Sequence, residues 1–136
     1  MGGMGALLYD RRHPGGVDGM VLLAPYLGDR ALLRSIADAG GVARWNPGPV
    51  PATVDAGNFQ VELWRHLKGW SAEPERARDV WLAYGDRDYL RDAMPLLVPL
   101  LRPGQVSVRE GGHTWAVWSP AARDALVQAR KRAPGT

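Results

Sequence analysis

The stretch Glu110-Gly-Gly-His-Thr-Trp-Ala-Val-Trp118 links a short strand-like segment to a helix start, and the rest of the chain is interpreted around it. Residues 105–109 before it alternate apolar and polar side chains, which is typical of a strand. The two glycines let the backbone bend sharply. His113 is therefore predicted at an exposed turn at the end of a strand, where an imidazole can titrate near neutral pH and reach a reacting atom. Alternatively, it is a turn histidine anchored by the aromatic residues Trp115 and Trp118.

The remaining segments alternate between strands and helices. Two short apolar runs, Met20–Ala24 and Val80–Tyr84, lack a helical period and suit strands buried on both faces. The predicted helices span 1–12, 29–39, 57–69, 89–101 and 119–132. Asp29 caps the second helix, and Pro95 and Pro99 are expected to break the fourth. The last helix is expected to begin at Ser119 and Pro120 and to turn Ala122, Leu126 and Ala129 inward. The glycines in 1–5 suggest a helix start that packs very closely against another element. The order predicts an α/β domain with a parallel sheet, spanning residues 1–136.

In an open parallel sheet, sites form beyond the carboxyl ends of the strands. Gly85-Asp-Arg-Asp88 follows the second strand, and His113 follows the third. A carboxylate beside a histidine can fix its tautomer and stabilise the imidazolium during general base catalysis. Either aspartate could instead cap a turn, because Asp favours such positions. His66 lies off the apolar stripe of its helix and is predicted on the solvent face.

These motifs resemble the C-terminal half of an α/β-hydrolase. In that family the loop after strand seven commonly reads G-x-x-D and carries the acid, and the loop after the last strand carries the histidine. Gly85-x-x-Asp88 and Gly112-His113 fit that pattern, and the run Gly19–Pro25 is similar to strand six. The sequence Gly-Gly-His-Thr-Trp resembles the esterase-like branches, including esterase D-type and mycolyltransferase-like proteins. The resemblance implies a partial hydrolase fold, with strands six to eight and flanking helices.

The same resemblance covers the beginning of the chain. In the family the nucleophile elbow often continues S-M-G-G-x-G-A, and this chain begins Met1-Gly-Gly-Met-Gly-Ala6. It thus matches from the residue after the serine, and the backbone N–H of Met1 would be an oxyanion-hole donor. The expectation is a chain without its N-terminal half and without the nucleophile, because no other serine stands in an elbow context. The parent would be a serine hydrolase that hydrolyses carboxylic esters or transfers acyl groups, with Asp88 orienting His113.

Four further expectations follow from the resemblance. The chain alone should be inactive in serine-directed hydrolysis, so it should not be labelled by a fluorophosphonate probe. Residues 28–78 would form a lid-like insertion, in which Trp45, Phe59, Trp64 and Trp70 line a pocket or fill a small core. Tyr26 and Trp115 are the residues expected to line a substrate pocket. The unpaired edge of strand six would promote poor solubility or self-association.

The composition and the motifs limit the partners and cofactors that can be expected. Apolar residues make up 46% and charged residues 23%, the net charge is +3, and there is no cysteine. The basic residues are not clustered, so no nucleic-acid partner is expected. No metal-ligand spacing, cofactor motif or dinucleotide fingerprint is present, and no apolar run reaches the roughly 18 residues of a membrane helix. The expected partner is a small ester or acyl substrate. A cytoplasmic location is the default, since an export signal would lie in the missing half.

A second reading stays open. The chain could be a non-catalytic remnant that acts as a binding or interaction module completed by a partner chain. The codons upstream of Met1 would distinguish this reading from a truncated hydrolase.

Overall fold

The computed structural model describes residues 2–132 and is an α/β domain around a three-stranded parallel sheet. The elements in chain order are α1 (Gly2–Arg12), β1 (Met20–Leu23), α2 (Arg30–Asp38), α3 (Phe59–Ala72), β2 (Val80–Gly85), α4 (Met94–Leu97), β3 (Val106–Arg109) and α5 (Trp115–Arg132). The predicted parallel α/β architecture is confirmed, and short 3₁₀ turns complete the connections.

The sheet runs in the order β1-β2-β3, with β2 in the centre. Met20 pairs with Val80 and Leu82 pairs with Val106, so the three strands point the same way. All three therefore end at the same edge, where the loops after β2 and β3 meet. Within residues 2–132, β1 pairs on one side only.

Helices cover both faces of the central strand. Successive side chains of a strand point to opposite faces. Val80 and Leu82 point into the main core, which includes Met4 and Leu7 of α1. Trp81 faces the other layer, where the guanidinium carbon of Arg132 lies 5.6 Å from its ring centroid. Helical layers therefore lie on both sides of the sheet.

The segment 28–78 packs into this main core. Trp64 and Trp70 are fully buried, and Trp64 donates its indole N–H to the carbonyl of Leu27 at 2.6 Å. Trp45 is 7% exposed, and Phe59 packs against the same cluster. Of the two alternatives for these aromatic residues, the structure supports filling of a core that is shared with the sheet.

Close packing at the start of α1 requires a glycine at one position. A Cβ atom on Gly3 would lie 2.6 Å from Cβ of Pro25, so the helix start approaches the end of β1 as closely as predicted. The prediction was wrong for Gly2 and Gly5, where an added Cβ meets nothing within 4 Å. The close contact brings the beginning of α1 next to the carboxyl end of β1.

Two proline predictions had opposite outcomes. The segment 89–101 is broken as predicted into 3₁₀ turns on either side of α4, because Pro99 has no N–H with which to continue the helix. The predicted start of the last helix was wrong, since α5 already begins at Trp115 and includes Pro120. Its start is fixed by the carbonyl of Thr114, which accepts from the N–H groups of Val117 and Trp118 at 3.1 Å.

The inward face of α5 also differs from the prediction. Val117, Ala121 and Ala125 are the buried residues, whereas Leu126 is 58% exposed. The spacing of four places these buried side chains in one row, and two of them are small enough to let the helix lie close to β2. No helix within the described range has the length and apolar character that spanning a membrane requires.

Candidate acid–base site

The loops after β2 and β3 are bonded directly to each other. The N–H groups of Asp86 and Arg87 donate to the carbonyls of Arg109 and Gly111 at 2.8 and 2.9 Å. In return, the side chain of Asp86 accepts the N–H of Gly111 at 3.0 Å. Asp86 therefore holds the turn, and its carboxylate is committed to the backbone.

Two glycines allow this close approach. A Cβ atom on Gly85 would overlap the carbonyl group of Gly111 and would lie 2.8 Å from the carbonyl oxygen of Gly112. Gly111 itself has a φ of +138°, a conformation that glycine tolerates and other residues rarely adopt. The backbone of the two loops can thus touch, and the side chains that follow are brought into contact.

Asp88 and His113 meet at this junction. Nδ1 of His113 lies 2.8 Å from Oδ2 and 3.1 Å from Oδ1 of Asp88. Asp88 is completely buried, and its Oδ1 also accepts the N–H of Leu90 at 2.8 Å. Because a carboxylate can only accept, Nδ1 carries the proton and Nε2 has the free lone pair in the neutral ring.

Aromatic rings hold the imidazole on two sides. The ring of Trp118 meets it edge-on with centroids 4.4 Å apart, and Tyr89 lies at 4.7 Å. Trp115 packs edge-on against Trp118 at 5.3 Å, although it is itself 71% exposed. Sequence reasoning missed Tyr89, and the available signal was its position directly after Asp88.

The imidazole lines an open cavity of about 580 Å³. His113 is 28% exposed in its side chain, and the hydrogen bonds of its ring within the described residues go to Asp88 alone. Tyr26 and Trp115, the two expected pocket residues, both line this cavity, together with Gly2, Gly3, Ala6, Val21, Leu23, Ala24, Pro25, Tyr89, Leu90 and Trp118. Nε2 therefore has no hydrogen-bond partner within residues 2–132.

Ala24 adds a strained residue to the cavity wall. Its φ is +44°, in the left-handed region that costs a non-glycine residue roughly 1–2 kcal/mol. Its N–H still donates to the carbonyl of Ala83 at 2.8 Å, so β1 remains in register up to this point. The turn at Ala24 then leads the chain through Pro25 to Tyr26.

His66 provides an internal comparison, and the prediction that it faces solvent was wrong. Only 6% of its side chain is exposed, and Nε2 lies 2.9 Å from Oδ2 of Asp10. Arg76 approaches Nδ1 at 3.5 Å, and a guanidinium can only donate. Burial lowers the pKa of His66, while the hydrogen bond with Asp10 raises it in opposition. Both ring nitrogens are occupied, so His66 ties α1 to α3. Nε2 of His113, by contrast, has no hydrogen-bond partner among residues 2–132.

The remaining points concern Met1, the serine hydroxyls and possible metal ligands. Met1, expected to supply an oxyanion-hole N–H, lies outside the described residues. The hydroxyls of Ser35 and Ser71 donate to carbonyls on their own helices, at 2.8 and 2.6 Å. Across residues 2–132 no cluster of three or more His, Asp or Glu side chains is arranged to hold a metal ion.

Comparisons with protein-family models, with curated proteins and with solved structures gave no significant match.

Proposed function

We propose that Asp88 and His113 are the acid–base pair of a hydrolytic site that acts on carboxylic esters or related acyl groups. The observation that carries this proposal is the 2.8 Å contact between Nδ1 of His113 and the buried Asp88, with Nε2 on the other side of a ring that lines a cavity. The resemblance to α/β-hydrolases supports the same roles, because the acid there follows one strand and the histidine follows the next.

The proposed reaction uses Nε2 as the base. A hydroxyl group from outside this chain, or water, attacks the carbonyl carbon, and its proton moves to Nε2 as the carbon–oxygen bond forms. Asp88 keeps the ring in the required tautomer and stabilises the imidazolium. The proton then passes from Nε2 to the oxygen of the leaving alcohol. This chain would thus supply the base half of the reaction, and no serine of it stands in the context of a nucleophile elbow.

The fold is proposed to correspond to strands six to eight of the hydrolase sheet. The β1-β2-β3 order, the site loops after β2 and β3, and helices on both faces support this assignment. The close packing of Gly3 against Pro25 is also what the start of the helix after a nucleophile elbow requires.

A binding or interaction module is the competing function. The observation that favours it is the absence, within residues 2–132, of any hydroxyl group hydrogen-bonded to His113. On that reading the cavity and the unpaired edge of β1 would serve recognition, and His113 would have no chemical role.

Hydrolysis of an activated ester distinguishes a hydrolytic site from a binding module. We expect the purified chain to release p-nitrophenolate from p-nitrophenyl butyrate by a serine-independent route, in which water attacks the ester and Nε2 of His113 takes the proton of that water. His113→Gln should lower that rate on the order of a hundredfold or to the buffer background, because the base is lost. His13→Gln is the matched control, since His13 is an exposed histidine that does not line the cavity. Its rate should equal that of the unmodified chain.

Equal rates for the unmodified chain and His113→Gln would refute the catalytic role and favour the binding module. A fluorophosphonate probe should leave the chain unlabelled. Stoichiometric labelling of a serine would contradict the assignment of this chain as the base half alone.

A further inference from the structure

A second cavity adjoins the one that contains His113. It has a volume of about 700 Å³ and lies between α2 and the segment that leads into α4. Pro25, Tyr26, Tyr89 and Leu90 line both cavities. The two cavities therefore meet at these four residues.

The far wall of the second cavity is basic. Arg30 and Arg34 are four residues apart on α2, so they project from the same side of the helix. Both line the cavity and are exposed, and within residues 2–132 neither has a carboxylate within 4.0 Å. The nearest acidic residue of the helix start, Asp29, accepts the N–H of Leu32 as the helix cap.

The lining of this cavity includes one carboxylate. Asp92 is also a lining residue, but its side chain is 90% exposed and lies 4.0 Å from the guanidinium of Arg91. The cavity wall therefore keeps a net positive charge. The other lining residues of this cavity include the apolar side chains of Leu33, Ala37, Pro95 and Leu96.

We propose that this second cavity is a binding site for an amphipathic anion, whose apolar chain lies along the shared wall and whose carboxylate or phosphate group is bound by Arg30 and Arg34. A guanidinium binds either anion through paired N–H donors. The inference rests on the proposed function in one respect: it makes the substrate of the His113 site an ester with an anionic group at a distance from the reacting carbonyl.

Binding of non-reactive probes tests the site apart from catalysis. Titration of the chain with hexanoate, hexyl phosphate and hexan-1-ol, followed by the backbone amide signals of α2, should give at least about fivefold tighter binding of an anion than of the alcohol. The two anions separate the sources, because the tighter one identifies the group that the arginines recognise. The preference should fall as the salt concentration rises.

The double variant Arg30→Gln/Arg34→Gln should bind the anions no more tightly than the alcohol, and Arg30→Lys/Arg34→Lys should recover part of the preference. Arg12→Gln/Arg123→Gln is the matched control, because it removes the same charge from exposed arginines that line neither cavity. Its preference should be unchanged.

Equal binding of anion and alcohol, or a preference that persists in Arg30→Gln/Arg34→Gln, would overturn the proposal. The His113→Gln chain separates this outcome from failure of the catalytic role, since it should still prefer the anion. An anion preference without His113-dependent hydrolysis would refute the catalysis alone, and hydrolysis without the preference would refute this site alone.

Discussion

Replacing Asp88 with asparagine should reduce the His113-dependent hydrolysis of p-nitrophenyl butyrate to the level of the His113→Gln chain. The change keeps the size of the side chain but offers Nδ1 an amide that can donate as well as accept. When the amide donates, Nδ1 loses its proton and Nε2 gains it, so the lone pair no longer faces the cavity. In serine proteases the same replacement lowers turnover about ten-thousandfold.

The matched control is Asp86→Asn, two residues earlier in the same loop. The role of Asp86 is to accept the N–H of Gly111, and the amide oxygen of asparagine can accept it as well. Its rate should stay within about threefold of the unmodified chain, since a neutral hydrogen bond replaces a charge-assisted one. Similar losses in Asp86→Asn and Asp88→Asn would show that the loop, and not the orientation of His113, governs the rate.

The second large effect is expected for Gly85→Ala. The new methyl group would overlap the carbonyl of Gly111, and both partners are backbone that cannot rotate away. The loops after β2 and β3 would have to separate, which breaks the hydrogen bonds between them and pulls Asp88 away from His113. We expect the free energy of unfolding, measured by chemical denaturation, to fall by about 3 kcal/mol, the upper part of the range for overpacking.

Gly104→Ala is the control for this change. Gly104 lies in the turn before β3, and a Cβ atom there meets nothing within 4 Å. The same added methyl group should change the free energy of unfolding by no more than about 0.5 kcal/mol, as surface substitutions usually do. If Gly85→Ala behaved like Gly104→Ala, the close junction of the two loops would not be needed for stability or for the site.

The sequence allowed the contact between Asp88 and His113 to be anticipated because parallel strands end at one edge of a sheet. Two apolar runs and one alternating segment located the strands, and each site residue follows a strand directly. The breaks around α4 were predictable for a similarly local reason, since a proline within a helix removes a hydrogen bond regardless of tertiary structure.

Other features depend on tertiary packing and could not be predicted. His66 lies off the apolar stripe of α3, and its ring nitrogens meet Asp10 and Arg76, which come from other segments of the chain. The start of α5 depends on the carbonyl of Thr114. The sequence instead favoured a helix start at Ser119, because serine is a good helix cap. The positive φ of Ala24 has no sequence signal, because residues other than glycine rarely adopt it.

The second cavity also depends on tertiary packing and could not be predicted from the sequence. Arg30 and Arg34 in the sequence are ordinary exposed residues of an amphipathic helix. The proposal gives them a role because residues within 89–96, between β2 and the end of α4, line the same open cavity. Tyr89 lines both cavities because it directly follows Asp88 in the loop after β2.

The central claim is that Asp88 holds His113 with Nε2 as the basic atom, and the ring nitrogen signals of His113 test it most directly. In mildly alkaline buffer, long-range proton–nitrogen correlation spectra should show Nδ1 protonated and Nε2 unprotonated in the unmodified chain. The Asp88→Asn chain should show the opposite tautomer or a mixture. A protonated Nε2 in the unmodified chain, or identical spectra for the two chains, would contradict the account.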